Sequence, residues 1–212
     1  MDNDYIEMWD NWSLKREGKP VYDLWLDEYK SVLEKNKDNE ILDLGSGIGA
    51  NTLYLIERGY KVLSCDFSNN ALKNIEKYIS NTKTKCFNMM NNFPLEDNSY
   101  NLIIADLSLH YFNNETTIHI MKEIKRILNK DGILLARVAS INDVNFGAIG
   151  GKELEKNYYF VEGYNKRFFD INDINKYFGI IGKLEAKETS MTRKEEAYSK
   201  PKILYQVIVR NI

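Results

Sequence analysis

The sequence predicts an α/β domain, in which a seven-stranded, mostly parallel sheet lies between two layers of helices. Strand-like and helix-like segments alternate along most of the chain, which is typical of a parallel sheet covered on both faces. A glycine-rich turn at residues 45–49 joins the first strand-like segment directly to a helix-like one. The last two strand-like segments follow each other without a helix, so we expect the final strand to run antiparallel.

Individual elements follow from the spacing of apolar residues. Apolar residues from Val21 to Leu33 recur at helical spacing and predict one amphipathic helix, and an aromatic cluster around Trp9 and Trp12 predicts a shorter helix before it. The predicted strands cover residues 41–44, 61–65, 84–88, 102–105, 133–138, 183–190 and 202–209. The predicted helices between them cover residues 50–58, 69–80, 115–129 and 171–178, and the stretch 140–169 shows no strong periodicity.

Bulk composition limits the classes of protein to consider. The chain has 212 residues, 43% hydrophobic and 28% charged, which is enough for one domain with a substantial core and short for two. A net charge of −2 gives no general attraction to nucleic acid or to anionic membranes. The acidic beginning is unlike a secretory signal, and no apolar run approaches the roughly 20 residues that span a bilayer. We therefore expect a cytoplasmic protein.

Cysteine and histidine usage carries less information. Cys65 and Cys86 fall in neighbouring strands that we predict to be buried, and free thiols are favoured over a disulfide in a cytoplasmic protein. The two histidines lie in different settings, so their spacing predicts no metal site.

The turn after the first strand is the best candidate for a binding site. Gly45, Gly47 and Gly49 alternate there. Glycine lets a ligand approach the backbone, and the following helix directs unpaired N–H groups at that ligand. The pattern predicts a site for a nucleotide-type cofactor, with a tight turn that binds nothing as the alternative. Gly45, Gly47 and Ala50, with Asp66 further on, also match a loose dinucleotide fingerprint.

Asp43 narrows the choice of ligand. It lies two residues before the first glycine, within an apolar strand. A carboxylate at this position suits a ligand that carries an ammonium group and would repel the pyrophosphate of a dinucleotide. A buried carboxylate also requires a polar partner, which a turn without a ligand would not supply.

The string Ile-Leu-Asp-Leu-Gly-Ser-Gly-Ile-Gly-Ala-Asn-Thr at residues 41–52 resembles motif I of the class I S-adenosylmethionine-dependent methyltransferases. The resemblance extends over roughly residues 38–210. It implies a Rossmann-like fold, S-adenosylmethionine as cofactor and S-adenosylhomocysteine as product. It also implies that Ser46 contributes to the cofactor site, together with Asp43, Gly45, Gly47 and Gly49.

Two further segments resemble the adenosine-binding motifs of this family. Residues 63–68 resemble motif II, which implies that Asp66 binds both ribose hydroxyls and that Phe67 lies along the adenine. Residues 93–104 resemble the segment that precedes the fourth strand. Counting back from Pro94, Asn88 falls where the family has an aspartate for the adenine amino group, and Met89 is expected to pack on the ring. Asn88 keeps an acceptor oxygen but lacks the charge.

Residues 104–112 resemble motif IV of small-molecule methyltransferases, which implies that Asp106 and Leu107 line the cofactor site. The chain lacks the Asn/Asp-Pro-Pro-Tyr/Phe box of enzymes that methylate exocyclic amines of DNA bases, and it lacks a Pro-Cys pair. We therefore expect a small-molecule methyl acceptor and neither nucleic acid nor membrane as partner. Residues 137–147 and 167–170 are similar to the branch that includes tellurite-resistance, thiopurine-type and type 11 methyltransferases.

The acceptor side is less well defined. His110 follows the fourth strand and is a candidate general base, or a residue that lines or caps the pocket; Tyr111 is similarly placed. The aromatic residues of the stretch 140–169 are candidates for a substrate wall together with Trp9 and Trp12, with ordinary core packing as the alternative. Those aromatic residues are Tyr158, Tyr159, Phe160 and Tyr164.

We expect a single domain over residues 1–212, within which three parts are distinguished. These are an N-terminal helical appendage at 1–38, a cofactor-binding half at 39–139 and a substrate lid at 140–169. The implied function is methyl transfer to a small molecule by in-line displacement. The alternatives are a non-catalytic S-adenosylmethionine-binding protein and an NAD(P)-dependent oxidoreductase. These residues define neither the acceptor nor the oligomeric state.

Overall fold

A computed structural model describes residues 3–191 and 200–212; part of the acidic beginning therefore lies outside the described residues. The strands are β1 (Glu40–Leu44), β2 (Lys61–Asp66), β3 (Lys83–Cys86), β4 (Tyr100–Asp106), β5 (Leu128–Ala139), β6 (Lys152–Glu155), β7 (Tyr158–Val161), β8 (Tyr164–Arg167), β9 (Gly182–Met191) and β10 (Lys202–Asn211). The helices are α1 (Asn3–Lys15), α2 (Lys30–Lys35), α3 (Ala50–Ile56), α4 (Asn69–Tyr78), α5 (Asn114–Ile127) and α6 (Ile171–Phe178). Short 3₁₀ helices cover Trp25–Tyr29 and Val144–Phe146.

The main sheet has seven strands in the order β3-β2-β1-β4-β5-β10-β9. The pairs β3–β2, β2–β1, β1–β4 and β4–β5 are parallel, and β10 runs antiparallel between β5 and β9. The predicted fold class, with a Rossmann-like sheet and an antiparallel final strand, is therefore confirmed.

Helices cover both faces of this sheet because alternate strand residues point in opposite directions. Leu42 and Leu44 face a core that α5 and α6 complete, whereas Ile41 faces a second core built with the 3₁₀ helix at 25–29 and α3. The carboxyl ends of β1, β2, β4 and β5 meet at one edge, so the loops that follow these strands lie side by side there.

Three details differ from the sequence-based predictions. The stretch 140–169 contains a small antiparallel sheet, β6-β7-β8. The single helix predicted from Val21 to Leu33 is instead a 3₁₀ helix followed by α2, with Val21 and Leu24 67% and 55% exposed. Cys86 is exposed, because β3 is an edge strand, whereas Cys65 is buried as predicted. Both cysteines are free thiols.

The helices give no indication of a membrane span. Within residues 3–191 and 200–212, none is both long enough and apolar enough to cross a bilayer.

Candidate active site at the carboxyl edge of the sheet

The glycine loop between β1 and α3 is fastened to β2. The backbone N–H groups of Gly45 and Ser46 both donate to the carbonyl of Cys65, at 2.8 and 2.9 Å. Gly45 has a φ of +73°, and a Cβ there would lie 2.3 Å from the Cβ of Ser108. Ser108 in turn donates its hydroxyl to the carbonyl of Leu44 at 2.8 Å. The loop after β4 is thus packed directly against the first glycine.

Gly47, in the middle of the loop, faces open space. Its φ is +52°, and a Cβ at this position would have no atom within 4 Å. Its N–H donates to Asp66 Oδ2 at 2.9 Å. By contrast, a Cβ at Gly49 would lie 2.7 Å from Ile75 of α4, so that glycine allows close helix packing. Gly47 is therefore the position at which the backbone of this loop is open to a ligand.

Asp43 is buried at the end of β1 and only half paired. Its Oδ2 accepts a hydrogen bond from the Thr52 hydroxyl at 2.7 Å, and Thr52 and Ser64 hydroxyls are also 2.7 Å apart. Its Oδ1 has no hydrogen-bond partner among the residues the structure describes. Burial raises the pKa of Asp43 to about 7, and the nearby charges of Asp106 and Asp66 act in the same direction. An orphan buried carboxylate oxygen is costly unless something pairs with it.

Asp66, at the end of β2, connects the glycine loop to the start of α4. Its Oδ1 accepts from the Ser68 backbone N–H at 2.9 Å, while Oδ2 accepts from Gly47. Burial raises the pKa of Asp66, and these backbone donors oppose that shift. A carboxylate has about four lone-pair sites, so these backbone donors do not use all of them. The carbonyl of the next residue, Phe67, accepts from the Cys86 thiol at 3.4 Å.

Asn88 and Met89 lie after β3. The Asn88 side-chain oxygen accepts from the backbone N–H of Met90 at 2.9 Å, which makes a local turn. Met89 is buried, and its Cε lies 3.2 Å from the position a Cβ on Gly45 would take. Met89 therefore lies against the glycine loop, whereas the Asn88 oxygen already has one partner.

Asp106, at the end of β4, is tied to Arg137 of β5. Arg137 Nε and Nη2 donate to the two carboxylate oxygens of Asp106, both at 2.7 Å, and Asn51 of α3 adds a bond of 3.3 Å. Leu107 has a left-handed backbone with φ of +55° and donates its N–H to the Arg137 carbonyl at 2.9 Å. The sequence-based prediction for the end of β4 did not include Arg137 or its other partner, Asp23.

His110 is buried and neutral. Its Nδ1 accepts the backbone N–H of Ala139 at 3.3 Å, and this bond places the imidazole proton on Nε2. Burial lowers the pKa of His110 well below its usual value, and the charges of Lys166 and Lys202 lower it further. Lys166 is itself buried, with a pKa lowered to about 8 by burial and by Lys202; its Nζ lies 3.8 Å from Asp143.

Aromatic side chains meet beside His110. The ring of Trp9 from α1 lies 4.9 Å from that of Tyr111 and 6.0 Å from that of Tyr164. Tyr158 donates its hydroxyl to the carbonyl of Tyr111 at 3.3 Å. Helix α1 is held in this position in part by Asp10, which accepts from the Ser68 hydroxyl at 2.6 Å.

The other aromatic candidates lie elsewhere. Trp12 contacts Trp9 at 5.6 Å, Tyr159 packs with Phe168 in a separate small core, and Phe160 is 48% exposed. The contacts around Tyr111 therefore involve Trp9, Tyr158 and Tyr164.

Sequence reasoning missed several polar residues of this region. One of them carried a usable indication: Arg137 stands inside the apolar run of β5, and a charged residue that is buried needs an opposite charge. Thr52 and Lys166 had no comparable feature, because the residues they contact are identified only by the fold.

The known proteins to which this chain is similar are methyltransferases. The family model for the methyltransferase domain matches residues 42–136, which include the glycine loop, β2 and β4. Over 146 residues the chain is 30% identical to TehB of Haemophilus influenzae, named as a probable S-adenosyl-L-methionine-dependent methyltransferase. That match covers 63% of this chain and 50% of TehB. An uncharacterised methyltransferase of Schizosaccharomyces pombe is 32% identical over 56% of this chain and 45% of its own length.

Solved structures share the fold. A methyltransferase of Methanosarcina mazei that depends on S-adenosylmethionine superposes with a TM-score of 0.74 at 17% identity, over 90% of this chain and 99% of that one. A 1,6-didemethyltoxoflavin-N1-methyltransferase of Burkholderia thailandensis gives a TM-score of 0.65 at 12% identity, over 99% and 86%. The chain spans about half the length of the curated relatives it matches. Residues 42–136 match the methyltransferase domain, and in motif, sequence relatives and fold the chain is similar to the class I S-adenosylmethionine-dependent methyltransferases.

Proposed function

We propose that this protein binds S-adenosylmethionine at the glycine loop and transfers its methyl group to a small-molecule acceptor. The observation that carries the proposal is the Oδ1 atom of Asp43, which is buried beside the glycine loop without a hydrogen-bond partner among the described residues. An ammonium group would pair with that oxygen. The cofactor has such a group, and NAD does not.

The residues around the loop fit the rest of the cofactor. Gly47 leaves room for close approach, and Ser46 has a buried hydroxyl without a hydrogen-bond partner among the described residues. Asp66 retains lone pairs for the two ribose hydroxyls. Phe67 and Met89 would flank the adenine, and Asn88 would accept from its amino group. The remaining residues of the cofactor site are Asp43, Gly45, Gly49, Asp106 and Leu107.

When bound, S-adenosylmethionine supplies a methyl group on a sulfonium, which a nucleophile displaces in line. The protein contributes orientation and the exclusion of water. We propose that α1 and the stretch 140–169 act as a lid, with Trp9, Tyr111 and Tyr164 as the wall of the acceptor pocket, because these rings contact one another across the two segments. Alignment of nucleophile and methyl group alone can supply roughly 7–11 kcal/mol of acceleration.

Thermal unfolding with added ligands tests the cofactor assignment. At 100 times its dissociation constant, a ligand stabilises the folded protein by about 2.7 kcal/mol. For a chain of 212 residues, we expect S-adenosylmethionine and S-adenosylhomocysteine to raise Tm by roughly 5–10 °C. Asp66→Ala should lose this shift because it removes the acceptors for the ribose.

Asp97→Ala is the matched control, since Asp97 is an exposed carboxylate that pairs with Arg126 away from the glycine loop. It should keep the full ligand shift. A shift with NAD or NADP and none with the adenosyl ligands would contradict the proposal. Binding without release of S-adenosylhomocysteine on any acceptor would instead support a non-catalytic binding protein.

The geometry of His110 favours acceptors that arrive as anions. If His110 took a proton from a neutral acceptor, it would become a buried imidazolium close to two ammonium groups, Lys166 and Lys202. That product is unfavourable, whereas the same positive charges stabilise an anionic nucleophile. We therefore assign His110 a pocket-lining role with Nε2–H as a donor. Tyr111, beside it at a ring distance of 4.4 Å, lines the same wall.

We expect turnover of thiol acceptors to follow their own ionisation rather than that of His110. An aryl thiol that is already ionised should give a nearly constant kcat/KM from pH 6 to 8. An alkyl thiol of pKa about 8.5 should show a rate that rises roughly tenfold per pH unit. His110→Gln should retain both profiles. Loss of alkyl-thiol turnover in His110→Gln, with aryl-thiol turnover retained, would show instead that His110 is a general base.

A further inference from the structure

Arg137 is a buried cation in the middle of a ring of polar side chains. It is 3% exposed and lies in β5 between Ala136 and Val138, which are fully buried. Its guanidinium binds Asp106 through two bonds of 2.7 Å. Burial alone would lower the pKa of the guanidinium, but the carboxylates of Asp106 and Asp23 raise it above its ordinary value. Arg137 is therefore charged, and both carboxylates are its counter-ions.

The second carboxylate comes from the N-terminal segment. Arg137 Nη1 donates to Asp23 Oδ2 at 2.8 Å, and the guanidinium lies 4.6 Å from the ring of Trp25. Trp25 donates its indole N–H to Asn51 at 3.0 Å, and Asn51 donates to Asp106 at 3.3 Å. The ring of contacts therefore connects the segment before α2, the first turn of α3, and the ends of β4 and β5.

This ring adjoins the proposed cofactor site. Asn51 lies two residues after Gly49, and the charge of Asp106 adds to the rise in the pKa of Asp43 that burial causes. The backbone of Leu107 is also bonded to Arg137. A change at Arg137 would therefore move groups on two sides of the glycine loop.

We propose that Arg137 is a positioning residue of the cofactor site. It holds the Asp106 carboxylate and the Leu107 backbone in place and, through Asp23, fastens the N-terminal segment against the start of α3. The inference rests on the proposed function, because it concerns affinity for the adenosyl ligand. Arg137 itself does not have to touch that ligand.

The direction in which the ligand affinity changes in Arg137 variants distinguishes a positioning role from an effect of charge alone. S-adenosylmethionine has a net positive charge, because its sulfonium and ammonium groups outweigh its carboxylate. A cation beside it disfavours binding, so removal of the Arg137 charge alone would strengthen binding. Loss of positioning would weaken it. Lysine retains the charge but lacks the planar fork that binds both oxygens of Asp106. Arg137→Lys and Arg137→Met therefore test geometry and charge separately.

The experiment is calorimetric titration with S-adenosylmethionine, at a temperature at which each variant is shown to be folded. We expect both Arg137→Lys and Arg137→Met to weaken binding by about tenfold. Because Arg137 acts through Asp106, adding Arg137→Met to Asp106→Asn should weaken binding little further. Arg126→Met is the matched control: Arg126 also pairs with two carboxylates, but on α5, and its loss should leave the affinity unchanged.

Two outcomes overturn the inference. Tighter binding in Arg137→Met with wild-type binding in Arg137→Lys would show an effect of charge only. Unchanged affinity in both variants would show a purely structural ion pair. If Arg137→Met does not fold, Arg137→Lys and the double variant, which leaves no unpaired Asp106 charge, decide the question. No binding to the wild-type protein would contradict the proposed function itself, which is a separate result.

Discussion

Asp43→Asn is expected to stabilise the ligand-free protein at pH 8 and to weaken its binding of adenosyl ligands. Burial raises the pKa of Asp43 from 3.8 to about 7, so the folded state holds this proton more tightly than the unfolded chain. Below about pH 4 the carboxyl group is protonated in both states and has no effect. As the pH rises from 4 to 7, the unfolded state loses its proton first, and the free energy of unfolding falls by about 4 kcal/mol.

Asparagine removes this cost but introduces another. Its oxygen can still accept from Thr52, whereas its amide N–H₂ is buried and lacks an acceptor, at a cost of about 1–3 kcal/mol. At pH 8 we expect Asp43→Asn to be more stable than the wild type by about 1–3 kcal/mol. At pH 4 the order should reverse, because the wild-type carboxyl group is neutral there. Urea unfolding of both proteins at the two pH values measures this.

The binding part of the prediction follows from the lost charge. A hydrogen bond to a charged group contributes about 1.5–3 kcal/mol, so the affinity for S-adenosylhomocysteine should fall roughly 10- to 100-fold at pH 8. Asp97→Asn, an exposed aspartate, should change neither quantity. If Asp43→Asn were less stable than the wild type at pH 8, the Asp43 charge would be favourable for folding and the expected cost of its burial would be wrong.

Sequence patterns were sufficient for the main sheet because its strands bury apolar residues and its helices bury one face. They failed for β6–β8, whose strands have only four residues each; β6, Lys152–Glu155, is exposed along its whole length. They also failed for the segment 21–33, where helical spacing did not match burial: Val21 and Leu24 are exposed. Periodicity predicts a face, but only tertiary packing determines whether that face is covered.

The candidate site divides in a similar way. The glycine loop and the strand-end acids could be placed from local motifs, since each lies within a few residues of a strand end. Their polar partners could not: Arg137 is 31 residues from Asp106 and 114 from Asp23. The cofactor roles of Asp43, Asp66, Asn88 and the other predicted residues remain predictions until a ligand is measured. Local motifs therefore identified the functional side chains, and only the fold identified their hydrogen-bond partners.

Gly45→Ala is expected to be the most destabilising single substitution in the glycine loop. The new Cβ would lie 2.3 Å from Ser108 Cβ and 2.8 Å from its hydroxyl oxygen, which is bonded to the Leu44 carbonyl. Overpacking costs about 1–3 kcal/mol and the left-handed backbone about 1–2 kcal/mol more. The total, roughly 2–5 kcal/mol, corresponds to a fall in Tm of about 5–20 °C. Differential scanning calorimetry of the ligand-free protein measures it.

Gly47→Ala should cost little stability but weaken ligand binding. Its backbone is also left-handed, but a Cβ would meet no atom within 4 Å, so the cost in stability is only about 1–2 kcal/mol. Gly59→Ala is the matched control, because Gly59 has a φ of +80° and equally open space in the turn before β2. The two variants should be equally stable, and only Gly47→Ala should lose affinity for S-adenosylhomocysteine.

Gly45 and Gly47 are glycines for two different reasons: protein packing at the first and access for a ligand at the second. Gly45 is required by the protein's own packing, because Ser108 occupies the space that a side chain would need. Gly47 has no such neighbour, so packing within the protein does not require a glycine there. The open space beside it leaves room for a ligand. If Gly47→Ala bound S-adenosylhomocysteine as tightly as Gly59→Ala does, the open face of the loop would not be the ligand's position. The cofactor would then have to be sought elsewhere along the carboxyl edge of the sheet.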